Sequence, residues 1–181
     1  MIDKIRVAAV VTPVGADPST GASVSTHSSA EPGLPQPVAD LVNGSDLERK
    51  LGLTLQLVTV DEEGWPRLSL LSVGEVLAGP GNDIRLALHI GSRTTAALTH
   101  SGKALATVVL GRTHYKIHLA LTRMNPDGAG PLAFFAGSVV HVEEDRVGYA
   151  ELTSGITYRL NEPDDVLARW TRQIDELRSL T

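Results

Sequence analysis

Glu63-Gly64-Trp65-Pro66-Arg67-Leu68-Ser69-Leu70-Leu71-Ser72 and, farther along, His89-Ile90-Gly91-Ser92-Arg93-Thr94-Thr95 are the two runs that decide how this chain folds. The first follows an acidic turn, Asp61-Glu62-Glu63-Gly64, and reads as the return strand of a hairpin. The second closes a strand in which Ile84, Leu86, Leu88 and Ile90 share one face, then opens a short helix over 93 to 101. Ser92 is placed to cap that helix by accepting a hydrogen bond from a backbone N–H two or three residues on. Gly102 can end it in the left-handed conformation that side-chain-bearing residues resist. The helix's uncapped N–H groups and positive dipole end favour an anion, and Arg93 adds a planar fork of donors suited to phosphate oxygens. Strand hydroxyls and two guanidinium groups beside a helix start make an anion site. Arg67 and Ser69 point the same way along an extended strand, whereas Ser72 has the opposite parity, so all three reach one ligand only through a bulge or twist.

Outward from this core, Leu53 to Val60 is expected to be the hairpin's first strand, with Leu53, Leu55 and Leu57 on one face, and Pro66 to Val76 its second. Gly79-Pro80-Gly81-Asn82-Asp83 turns the chain into the strand ending at Ile90. After the short helix come strands at Ala104–Leu110, His114–Arg123 and Leu132–Glu143, a helical turn at Tyr149–Leu152, and a last short strand at Ile156–Leu160. Pro37 to Leu51 carries Val38, Leu41, Val42, Leu47 and Leu51 at helical spacing, with Asn43-Gly44-Ser45 able to break it in two. Val166, Leu167, Trp170, Ile174 and Leu177 form the apolar stripe of a final helix that starts near Pro163. Ile5 to Thr12 reads as an edge strand. Residues 13 to 37 are rich in Pro, Gly, Ser, Thr and Ala, a composition that cannot bury enough surface to offset its ordering entropy. The expected organisation is an arm and linker over 1–37 and one domain over 38–181. The expected fold is mainly β (α+β): a small antiparallel barrel with flanking helices, since closure removes exposed strand edges.

The 181 residues suit a single domain, and 42% hydrophobic with 20% charged residues is ordinary globular composition. A net charge of −5 without a basic run disfavours a nucleic-acid partner. There are no cysteines, which removes disulfides, thiolate metal sites and a cysteine nucleophile. The apolar run Val7–Val11 is too short for a signal peptide, and no stretch approaches a membrane span. A cytoplasmic protein that avoids membranes is expected.

Other clusters read as structural. His114, Lys116 and His118 alternate on one strand face, but the outer two stand ~13 Å apart and cannot share one ion. A polar exterior or subunit face is expected there, and no metal site. His141, Glu143 and Glu144 have no partner that sequence can name. Trp65, beside Pro66, is expected to pack at its hairpin turn, and Trp170 in the core or an interface. His89 stands next to the anion turn.

The order Asp61-Glu62-Glu63-Gly64-Trp65-Pro66-Arg67-Leu68-Ser69, a strand, Ser92-Arg93-Thr94 at a helix start, then Ala104-Leu105-Ala106-Thr107-Val108-Val109-Leu110, resembles the flavin-binding split barrel of the pyridoxamine 5'-phosphate oxidase-like families. The resemblance covers about residues 38 to 175. It implies a Greek-key split barrel that binds FMN, commonly across a homodimer interface. The implied cofactor residues are Arg67, Ser69, Leu70, Leu71 and Ser72 on the strand, and Ser92, Arg93 and Thr94 at the turn. Deazaflavin or haem are the alternatives on the same barrel. An oxidoreductase of open substrate is implied, with a non-catalytic cofactor-binding protein as the rival. Two departures stand out. Thr94 and Thr95 occupy the turn where many relatives carry a lysine. Arg159-Leu160-Asn161-Glu162-Pro163 does not match the Arg-Leu-x-Pro segment that helps true pyridoxamine phosphate oxidases hold their substrate, so that particular activity is not expected.

Overall fold

The structure, a computed structural model, describes residues 33–125, 128 and 130–180. Seven strands form one antiparallel sheet: β1 Thr54–Val60, β2 Pro66–Ser72, β3 Val76–Ala78, β4 Asp83–His89, β5 Lys103–Leu110, β6 Thr113–Arg123 and β7 Leu132–Asp145. Their order is β2-β1-β5-β6-β7-β4-β3. The sheet's two edges, β2 and β3, are joined only by Val73, Gly74 and Glu75. So short a connection draws the edges together, and the sheet curls into a split barrel. Two local devices permit the curl. β6 and β7 shift register between His118 and Leu119, a bulge that bends the ladder. Gly137 crosses so close to β6 that a Cβ there would lie 2.0 Å from the Ala120 carbonyl oxygen.

Alternate residues of each strand fill the interior. Leu55, Leu57, Leu71, Val76, Ile84, Leu86, Ala106, Ile117, Leu119 and Phe135 are all buried there. Helix α1 (Gln36–Leu41) plugs this core with Val38 and Leu41, with Val42 buried just beyond it, and the Val42 carbonyl accepts a hydrogen bond from Ala78 N–H. The remaining interior void is about 10 Å³ and its lining is wholly apolar. A ligand therefore has no room inside the barrel, and polar chemistry must lie outside it.

Helix α2 (Arg93–Ser101) bridges β4 and β5, and helix α3 (Pro163–Ser179) packs outside β3 and β4. There Ile174 and Leu177 join Leu77 and Ala87 in a second apolar cluster. Arg85, on β4, donates to the carbonyls of Leu177, Arg178 and Leu180 at 2.8, 3.3 and 2.8 Å, closing the C-terminal end of α3. A cation there also opposes the negative end of the helix dipole. Trp170 is buried directly over Gly74.

Several boundaries differ from the sequence expectation. The strand expected to run from Pro66 to Val76 stops at Ser72, because Glu75 folds back to accept from both the N–H and the hydroxyl of Ser72 at 2.7 and 2.8 Å. The expected helix over 37–51 is α1 followed by a separate 3-10 helix, Leu47–Lys50, with Gly44 (φ 72°) in the break. The expected strand at 156–160 is reduced to one bridge between Leu53 and Thr157. No helical turn forms at Tyr149–Leu152. Trp65 does not pack at its turn but is 67% exposed. The edge strand expected at 5–12 and most of the 13–37 arm lie outside the described residues. Among the described residues, no helix is long and apolar enough to cross a membrane.

Candidate functional site

The β1–β2 turn is built by one carboxylate. Asp61 Oδ1 accepts from the backbone N–H groups of Glu63 (3.1 Å) and Trp65 (2.8 Å), and Gly64 takes the positive φ of 86° that the turn requires. Asp61 Oδ2 accepts from Arg67 Nε and pairs with Nη2, both at 2.8 Å. The Trp65 N–H, followed by the Arg67 guanidinium, holds the Asp61 carboxyl below its ordinary range against the opposing effect of desolvation. Arg67 is thus oriented, and its charge is largely matched, by its own hairpin.

Helix α2 starts as its sequence dictates. Ser92 Oγ accepts from Thr95 N–H at 3.0 Å and donates to Thr95 Oγ1, which in turn donates to the His89 carbonyl. Gly102, at φ 63°, ends the helix. Ser92 is fully used as a cap. The N–H groups of Arg93 and Thr94 have no acceptor among the described residues, because Thr95 and Ala96 take the Ser92 side chain and carbonyl. Arg93 is exposed and has no ion-pair partner among the described residues. Thr94 is buried, and its hydroxyl hydrogen-bonds that of Ser69, which stitches β2 to α2.

Between the hairpin turn and α2 lies a cleft of about 320 Å³ lined by Asp61, Glu62, Glu63, Arg67, Arg93, Ala96 and Ala97. Of the eight residues that the sequence singled out, Arg67 and Arg93 line this cleft, and Ser69, Ser92 and Thr94 gather beside it at the start of α2. The other three do not join them. Leu71 is a barrel-core residue, 4% exposed. Leu70 lies on the opposite, outer face of the sheet, directly across from Gln56. Ser72, also of outer parity, is held by Glu75.

The structure also pairs groups the sequence left separate. His118 Nε2 lies 3.1 Å from Glu143 Oε1, Lys116 Nζ contacts Asp145 at 2.6 Å and Glu143 at 3.5 Å, and the rings of His118 and His141 stand 5.6 Å apart. These are cross-strand neighbours: the β6–β7 register places Lys116 opposite Glu143 and His118 opposite His141. The Lys116 ammonium holds Asp145 below the usual carboxylate range; His118 first, then Lys116, does the same for Glu143. Only the strand pairing could have revealed this ladder. The Asp61–Arg67 pair was closer to hand, since an aspartate opening a Gly-containing hairpin turn commonly bonds the N–H groups after it. No group of three or more potential metal ligands comes together among the described residues.

No family model matches the chain. Solved structures similar to it include HupZ of Group A Streptococcus (15% identity, 70% of this chain and 99% of that one, TM-score 0.49). Also similar are an FMN-binding protein from Syntrophomonas wolfei (14%, 60% and 88%, TM-score 0.46) and a pyridoxamine 5'-phosphate oxidase-related, FMN binding protein from Nostoc punctiforme (13%, 59% and 81%, TM-score 0.46). A much nearer relative is the uncharacterized protein YclD of Bacillus subtilis, 35% identical over 141 residues that span 77% of this chain and 92% of that protein. The chain belongs to the same family as YclD.

Proposed function

We propose that the start of α2 and the adjoining cleft form a flavin-phosphate site, and that the chain is an FMN-binding protein of the pyridoxamine 5'-phosphate oxidase-like class, an oxidoreductase of open substrate. The observation that carries this reading is the coincidence, at one helix start, of an Arg93 guanidinium and of Arg93 and Thr94 N–H groups that have no partner among the described residues. These three donors suit a terminal phosphate. Arg67 contributes field and shape; its Asp61 pair leaves Nη1 without a partner among the described residues. The bound flavin supplies the two-electron and one-electron chemistry, while the chain contributes position and electrostatics.

The reading includes a homodimer that completes the cofactor site. The outer sheet face exposes Leu68, Leu70, Val60 and Val140 at 58, 50, 47 and 53%, and a groove of about 510 Å³ there is lined by Val58, Val60, Leu105 and Val140 together with Lys103 and His118. An apolar sheet face of this kind is unusual on a monomer and suits a self-complementary contact with a second copy. The exposed Trp65 sits in the turn of the β1–β2 hairpin whose strands form part of this face.

A non-catalytic flavin, deazaflavin or haem binding protein is the second reading. One observation favours it: the Trp65 N–H and then the Arg67 guanidinium hold the Asp61 carboxylate of the cleft charged rather than poised for proton transfer. Absorption spectra of the purified protein across the near-ultraviolet and visible range, before and after FMN addition, test the site. Flavin bands perturbed by the protein support it. A colourless protein that leaves added FMN unperturbed removes it. Reduction of the bound flavin by NAD(P)H at a steady turnover separates the enzyme from the carrier.

A further inference from the structure

The apolar groove on the outer sheet face has titratable groups in and beside its wall. His118, on β6, lines the groove together with Val58 and Val60 of β1, Lys103 and Leu105 of β5 and Val140 of β7. The β6–β7 register sets His141 directly opposite His118, and the bulge that follows leaves Val140 as the extra residue between His141 and Val139. The two rings stand 5.6 Å apart. No carboxylate lines the groove itself.

The groups that face His118 are His141 and Glu143 across the ladder, Lys116 along its own strand, and Lys103 on β5, with His114 farther off beside Asp145. His118 Nε2 lies 3.1 Å from Glu143 Oε1, a bond that a neutral imidazole makes with its hydrogen on Nε2. Lys116 contacts both Glu143 and Asp145. His118 first and then Lys116 hold Glu143 below the usual carboxylate range, and Lys116 does so for Asp145, so both carboxylates stay charged in mild acid. With both rings neutral, the cations Lys103 and Lys116 therefore balance the anions Glu143 and Asp145. Protonation of both rings unbalances the cluster in favour of positive charge.

From this juxtaposition we propose that the His118–His141 pair makes the contact between two copies of the chain pH-sensitive: the copies associate with both imidazoles neutral and separate as the pair takes up protons. The inference rests on the homodimer reading above. Covering the groove strips water from His118, which disfavours the imidazolium and strengthens its repulsion from His141 and Lys103. A two-fold contact brings two such clusters to one interface. The separated chain therefore binds more protons than the associated one, and acid draws the equilibrium towards it.

The test is sedimentation velocity of the full chain over a concentration series at about pH 8 and about pH 5, the limits between which an ordinary imidazole changes charge. The dissociation constant of the dimer should rise at least roughly tenfold from the higher pH to the lower, since each coupled proton contributes up to about that factor per pH unit. The double variant His118→Gln, His141→Gln keeps polar side chains at both positions and should remain dimeric at both values. Circular dichroism should be native at both, showing that the copies part while folded. A natural dimer equally tight at the two pH values, a double variant with the natural pH dependence, or a natural chain that separates only by unfolding would overturn the switch alone. A chain that is monomeric throughout the series at about pH 8 would overturn the homodimer reading and the switch with it.

Discussion

Replacing Gly74 with alanine adds one methyl group at the point where the split barrel closes. An ideal Cβ there would lie 2.1 Å from Trp170 Cγ, 2.4 Å from Cδ1 and 2.5 Å from the Trp170 Cβ. Carbon atoms prefer about 3.5–4 Å, so roughly 1.5 Å of separation must be found. The indole cannot supply it by swinging outward, because Trp170 is 2% exposed and fully enclosed. Either α3 shifts away from the β2–β3 connection or Trp170 abandons its site. Overpacking of this kind costs ~1–3 kcal/mol, and losing the tryptophan's packing altogether sets a ceiling of ~3–5 kcal/mol. For a chain of this size that is a fall in melting temperature of about 2–4 °C per kcal/mol. Urea unfolding followed by circular dichroism measures the loss directly, and a double-mutant cycle identifies its cause. On a Trp170→Leu background the same Gly74→Ala change should cost under about 0.5 kcal/mol, because the smaller side chain leaves room. A Gly74→Ala chain as stable as the natural one, or strict additivity in the cycle, would refute the claim that Gly74 exists to admit Trp170.

Two further outcomes follow from the hydrogen bonding. Arg85→Met should destabilise the chain by ~1.5–3 kcal/mol and raise amide exchange in the last turn of α3, since one guanidinium bonds three of its carbonyls; unchanged exchange there would contradict the capping role. The Asp61 carboxyl is held below its ordinary value, chiefly by the Trp65 N–H and then by Arg67. A carboxylate so lowered stabilises the turn above the unfolded pKa, and that support is lost as pH falls through the folded one. The amide shifts of Glu63 and Trp65 should therefore stay native through mild acid and move only below about pH 3.9, the ordinary aspartate value. A midpoint at or above that value would show that the turn does not hold Asp61 as described.

Much of this molecule could be read from its residues where the pattern was local. Ser92, Arg93 and Gly102 bracket α2 as their chemistry requires, and the strand periodicity of Ile84, Leu86 and Leu88 survives as barrel-core burial. What escaped was set by contacts distant in the chain. The strand from Pro66 ends early because Glu75 turns back to Ser72 under Trp170, a residue of α3. The Lys116, His118, Glu143 and Asp145 ladder exists only through the β6–β7 register. For the candidate site, strand parity correctly set Ser72 apart from Arg67 and Ser69, but no local pattern showed that Leu71 faces the core while Leu70 faces out. Nor did it show that Arg67 is matched by Asp61, whereas Arg93, in the same cleft, has no ion-pair partner among the described residues.

The central claim is that the start of α2 holds a flavin's phosphate. It is tested most directly by titrating FMN and riboflavin, which lacks the phosphate, into the natural chain and into Arg93→Ala. The account predicts that FMN binds more tightly than riboflavin, and that Arg93→Ala weakens FMN by ~1.5–3 kcal/mol, roughly ten- to 150-fold, while riboflavin affinity is unchanged. Equal affinities for the two flavins, or an Arg93→Ala chain that binds FMN as the natural one does, would contradict it.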